Sequence, residues 1–183
     1  MHAPAGWLEC VANVSEGRDP AVLDALSSAL RDVPEVQLWH RDAGWDAHRT
    51  VYTFAGPADA VVDGCIALVS AATTHIDMRQ HHGAHPRIGA VDVCPVVALR
   101  PEESALADQA AERVASGLSE LPAGGWFYSR NARRPEFLLL ANILARASFH
   151  SAYVEEISAI SNQLLGFAKE ILKLKVRTLV VER

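Results

Sequence analysis

An α+β fold is expected for this 183-residue chain, and three observations predict it. Up to residue 99 the segments run in the order β-α-β-β-α-β. The apolar period switches between 2 and 3.6 at Gly and Pro punctuation, as it does where strands and helices alternate. Half the residues are hydrophobic and 21% are charged, close to the globular average, so global disorder is excluded. A chain of this length forms one large or two small domains and buries a core without disulfide or metal staples.

Residues 7–14 (WLECVANV) alternate and read as a strand. Gly17 and Pro20 mark the turn that follows. Val22, Leu23, Leu26, Ala29 and Leu30 have helical spacing, with Asp19 suited to the N-cap and Pro20 to the first helical position. Pro34 closes that helix. Residues 35–43 and 48–55 are two strands joined by a hairpin-length loop at 44–47, and Gly56-Pro57 ends the pair. Residues 58–74 form a helix with a broad apolar face of Val61, Val62, Cys65, Ile66, Leu68 and Val69. The stretch 75–89 (HIDMRQHHGAHPRIG) has neither period and reads as a loop. Residues 90–99 are a β-run in which Pro95 predicts an edge, bulge or bend. A helix over 102–118 starts with acidic residues that suit its dipole, and 125–130 is a short strand.

This order is that of a ferredoxin-like βαββαβ core, an antiparallel or mixed sheet with helices on one face. Past residue 135 the character changes. Ile157, Ile160, Leu164, Phe167, Ile171 and Leu174 form the stripe of an amphipathic helix, packed on the domain or on a second copy, and 176–182 reads as a closing strand. The chain therefore divides into a domain at 1–135 and a helical C-terminal tail at 136–183.

A net charge of −5 disfavours non-specific attraction to nucleic acid or anionic membranes. No apolar run reaches the ~18 residues of a membrane span, and the N-terminus lacks the pattern of a signal peptide. Cys10, Cys65 and Cys94 fit no CxxC pattern and read as buried, reduced core residues of a cytoplasmic protein.

Histidine is the unusual residue. Of eight, His75, His81, His82 and His85 crowd into the 75–89 loop. Pro86 restricts the backbone of His85 and so the direction of its imidazole. Imidazole exchanges protons near neutrality, and Arg79 and Arg87 can grip carboxylates in bidentate fashion. The set suits a small anionic substrate and a proton-transfer step. A solvated polar loop is the plain alternative. A metal site is a third, since His81, His82, His85 and Asp77 include usable ligands, but their spacing matches no familiar zinc pattern. No metal is expected. Asp42 and Arg49, on the two strands of the hairpin, read as a surface ion pair. Asn13, Ser15, Glu16 and Gly17 read as turn chemistry after the first strand.

Three phrases, ECVANVSEG (9–17), DAGWDAHRTVYTFAG (42–56) and IDMRQHHGAHPRIGAVDVCPV (76–96), closely resemble the N-terminal subdomain of glutamate formimidoyltransferase, the transferase half of formiminotransferase-cyclodeaminase. The likeness runs in order from about residue 8 to about residue 130. The resemblance implies a ferredoxin-like fold and transfer of a formimidoyl group from N-formimidoyl-L-glutamate to tetrahydrofolate, late in histidine breakdown. It implies that His85 is the catalytic acid/base and that Asp42 supports it. It assigns Arg49, His81, Arg87, Asp92 and Asn13 to substrate or folate binding, with tetrahydrofolate as co-substrate. In the family the substrates lie in a groove between two subdomains. A second copy or a partner chain carrying the C-terminal subdomain is therefore expected to supply the other wall. The alternative is a catalytically incomplete folate-binding or interaction module. The chain departs from the family at Ala12 (usually Pro), Val14 (an aromatic), His48 (Asn) and Ala84 (acidic), and beyond residue 130 it does not follow the family in detail.

Overall fold

The computed structural model describes residues 3–84 and 89–119. The elements are β1 (Trp7–Val14), α1 (Pro20–Arg31), β2 (Gln37–Gly44), β3 (Arg49–Pro57), α2 (Ala58–His75), β4 (Val91–Val93), β5 (Val96–Ala98) and α3 (Ser104–Gly117). Short 3-10 turns stand at Met78–Gln80 and Pro101–Glu103. The expected strand at 125–130, the helical tail at 136–183 and its closing strand lie outside the described residues.

The five strands make one antiparallel sheet in the order β2-β3-β1-β4, with β5 also pairing β1. Alternation in β1 decides its two faces: Leu8, Cys10, Ala12 and Val14 are buried while the residues between them are partly exposed. Phe54, Tyr52 and Thr50 of β3 lie opposite Cys10, Ala12 and Val14 and continue the buried face. Leu26 and Leu30 of α1, Val61, Cys65 and Leu68 of α2, and Ala107, Ala110 and Val114 of α3 complete the core against it.

Local chemistry accounts for most boundaries. Asp19 caps α1 by accepting from the Ala21 and Val22 amides, and Pro20 opens the helix. The run expected as one strand at 90–99 is two, β4 and β5. Cys94 and Pro95 fall between them, because proline has no amide to give the ladder. The expected loop after α2 contains the 3-10 turn at Met78–Gln80, capped by Asp77, which accepts from the Arg79 amide. The second hairpin strand begins at Arg49 rather than residue 48. His48 has φ +53°, a left-handed conformation that ends the turn and cannot belong to a strand.

Register carries the connection to function. Asn13 lies opposite Val51, and Val51 opposite Asp42. Asn13, Arg49 and Asp42 therefore project from the sheet face that is turned away from the core.

Candidate active site

At the C-terminal end of β1 the chain turns through Ser15, Glu16 and Gly17, and this turn organises a polar cluster. A single oxygen of Glu16, Oε1, accepts from the backbone amides of Gly17, Arg18 and Asp19 at 2.8, 2.7 and 3.0 Å. The same oxygen lies 3.0 Å from His48 Nε2, and Oε2 lies 3.4 Å from His81 Nε2. Burial alone would raise the Glu16 pKa. The amides of Arg18, Asp19 and Gly17 and the charge of His48 outweigh it and hold the group below the ordinary glutamate range. An ionised Glu16 accepts hydrogen bonds from both imidazoles, which sets each ring as a donor at Nε2.

The two rings stack, with centroids 3.9 Å apart and planes 18° from parallel. His48 reaches this position from a left-handed backbone, a conformation that costs of order 1–3 kcal/mol and collects at functional sites. Gly17 is required for a related reason. A Cβ there would stand 2.6 Å from the Arg49 amide nitrogen and 2.7 Å from the Gly44 carbonyl oxygen, both backbone.

Beside this cluster runs a buried ionic network. Arg49 donates through Nε to Asn13 Oδ1 at 2.6 Å and pairs through a terminal nitrogen with Asp92 Oδ2. The side chains of Arg49 and Asp92 are only 6% and 3% exposed, so this pair is shielded from solvent. The expected surface pair of Arg49 with Asp42 is thus corrected. Arg49 stands opposite Gly44 in the register and turns to Asn13 and Asp92 instead, while Asp42 is solvent-exposed on β2. Asp42 shares a sheet face with Asn13, two strands and roughly 10 Å away by strand spacing.

The loop carrying the histidines is pinned on both sides of residues 85–88. Before them, His81 meets Glu16, and the Ala84 amide donates to the Asp46 carbonyl at 3.1 Å. After them, Ser15 donates through its hydroxyl to the Gly89 carbonyl at 2.7 Å and through its amide to Ala90 at 2.9 Å. His85 and Arg87 themselves lie outside the described residues. Arg79 is exposed and grips Asp77 at 2.8 and 2.9 Å, which holds that carboxyl at about 2.

The structure therefore brings together Asn13, Arg49 and Asp92 in one network and His81 with Glu16 and His48 in another. It leaves Asp42 apart. Glu16 and His48 are the residues that sequence reasoning did not place in the site. The only signals in the sequence were a glutamate in the turn after the first strand and a histidine in a hairpin turn.

Metal ligation divides differently from the expected set. Asp77 is committed to Arg79, and among the described residues the ligand atoms close enough to share an ion here are those of Glu16, His48 and His81, within 4.8 Å of one another. In this arrangement both imidazoles meet the Glu16 carboxylate.

Protonating Glu16 should weaken this cluster. Its folded pKa lies below its unfolded value of ~4.3, so its contribution is fully present above that pH and is lost as pH falls through the folded value. Glu16→Gln should therefore lower stability at pH 7 and flatten its acid-side loss. Urea midpoints between pH 7 and pH 3 would show this. Parallel pH curves for the two proteins would remove Glu16 as the hub.

The family model described as the formiminotransferase domain, N-terminal subdomain, matches residues 7–163, and the chain belongs to that family. The match extends past residue 130, where the sequence likeness was expected to end. Formimidoyltransferase-cyclodeaminase of Rattus norvegicus is 39% identical over 154 residues, 82% of this chain and 28% of the relative. Glutamate formimidoyltransferase of Streptococcus pyogenes serotype M1 is 34% identical over 137 residues, 74% of this chain and 46% of the relative. Formimidoyltransferase-cyclodeaminase of Dictyostelium discoideum reaches 50% over 93 residues, 51% of this chain and 17% of the relative. The chain thus spans less than half the length of these relatives. No helix among the described residues is long and apolar enough to cross a membrane.

Proposed function

We propose that this chain supplies the catalytic wall for transfer of the formimidoyl group from N-formimidoyl-L-glutamate to tetrahydrofolate, a step of histidine degradation. The family match over residues 7–163 carries this reading. The strand order β2-β3-β1-β4, with α1 and α2 as the two connecting helices, supports a ferredoxin-like subdomain.

In the reaction N5 of tetrahydrofolate attacks the amidine carbon, forming an N–C bond and a tetrahedral intermediate. The bond from that carbon to the glutamate nitrogen then breaks. N5 gives up one proton and the departing nitrogen takes one, so a single shuttle balances the step. His85 is assigned that shuttle, with Asp42 stabilising the imidazolium electrostatically. His81, held by Glu16, anchors the loop that leads to His85. Arg49, committed to Asn13 and Asp92, keeps these two polar side chains in place for folate or substrate. Arg87 is the carboxylate clamp. The second wall of the cleft comes from a second copy or from a chain carrying the C-terminal subdomain, and the setting is the cytoplasm.

The test is to incubate the chain with N-formimidoyl-L-glutamate and tetrahydrofolate, alone and with the C-terminal subdomain of a full-length relative. Glutamate release and formimidoyl-tetrahydrofolate are measured together. Stoichiometric appearance of both in either mixture supports the proposal. Folate binding without product in either mixture supports the incomplete binding module instead.

A further inference from the structure

All three cysteines of the chain converge inside the core, from three separate elements. Cys10 comes from the buried face of β1, Cys65 from α2, and Cys94 from the break between β4 and β5. Their sulfurs lie within 4.8 Å of one another, and Cys10 Sγ is 3.6 Å from Cys94 Sγ. Cys10 and Cys65 are fully buried, and Cys94 is partly exposed. The cluster is separate from the Glu16, His48 and His81 group.

We propose that Cys10, Cys65 and Cys94 form a three-sulfur site for a soft monovalent ion, copper(I). Three sulfurs around one ion with metal–sulfur bonds of ~2.3 Å stand ~4.0 Å apart, which falls inside the observed spacing. Ligand number selects among thiophilic ions. Zinc in a closed site takes four ligands, and no His, Asp or Glu side chain joins these sulfurs among the described residues. Copper(I) is the soft ion that thiolates select and that three sulfurs satisfy.

Cysteine ligates as the thiolate, so three sulfurs around a monovalent ion make a centre of net charge −2 that the partly exposed Cys94 side brings nearest to solvent. Binding forms three copper–sulfur bonds, breaks three S–H bonds with release of three protons to solvent, and changes no oxidation state. Cys94 offers the entry route, since it sits where the edge of the sheet is interrupted before Pro95.

The reduced full chain should be titrated anaerobically with copper(I) against bicinchoninate as competing chelator. The expected result is one copper(I) retained per chain and a coordination shell of three sulfurs by X-ray absorption. Cys10→Ala, Cys65→Ala and Cys94→Ala should each weaken retention at least ~10-fold, the direction expected when one soft ligand of three is lost. Failure to retain one equivalent overturns the proposal. So does a shell containing nitrogen or only two sulfurs, or a Cys65→Ala chain that binds as wild type does. Should an alanine variant unfold, the sulfur count in the wild-type chain still decides.

Discussion

Asp92→Ala should lower the unfolding free energy by about 3–5 kcal/mol, the cost of leaving one partner of a buried ion pair without the other. Arg49 and Asp92 are both nearly solvent-free, and Arg49 cannot shed its charge. The guanidinium would keep its bond to Asn13 but lose the Asp92 carboxylate. The same substitution removes the acceptor of the Gly89 amide, which Asp92 Oδ1 meets at 3.3 Å. Against a typical domain stability of ~5–15 kcal/mol this is a large share. A double change, Arg49→Leu with Asp92→Leu, should recover much of the loss, because two apolar side chains replace the pair without stranding a charge. Urea unfolding of the three proteins measures this, and the pair's contribution should vary little with salt, as shielded charges are weakly screened. A loss under ~1 kcal/mol for Asp92→Ala would be the value of a surface pair. It would contradict the assignment of Arg49 as the residue that holds this network.

That network also shows what could be read before the fold was known. Local signals defined β1, α1 and α2 because each is decided within a few residues. The alternation of 7–14, the Asp19-Pro20 start and the apolar face from Val61 to Val69 are examples. Pro95 announced the break in the last strand for an equally local reason. The site is a different matter. Asn13, Arg49 and Asp92 come from three strands, and Glu16, His48 and His81 from two turns and a loop. Their pairing depends on register, and the two-residue offset between Asp42 and Arg49 is enough to turn the arginine to other partners. Glu16 looked like turn chemistry and is that, through three amides, yet its other contacts are with two imidazoles. The three thiols were legible as buried residues but not as neighbours, since nothing within one element relates Cys10 to Cys65 or Cys94.

His85→Ala should reduce kcat for formimidoyl transfer by ~10²–10⁴, the range for losing a positioned acid/base. The reaction needs one group to take the N5 proton and return a proton to the departing glutamate nitrogen, and an imidazole does both near neutral pH. His81 is the rival, only four positions earlier on the same loop. Its Nε2 faces Glu16, and its ring is stacked on His48, so it is engaged in holding the loop. His81→Asn retains a donor for Glu16 and should keep far more activity than His85→Ala, with its loss appearing mainly in KM. The pH profile separates the two roles further. In the wild type and in His81→Asn, kcat should fall on the acid side with one ionisation in the histidine range, and in His85→Ala that limb should vanish. Equal kcat losses in the two variants would place the shuttle on the loop as a unit rather than on His85. Wild-type turnover in His85→Ala would remove the residue from the chemistry, and the imidazoles of His48 and His81, both on Glu16, would then be the candidates to carry the proton.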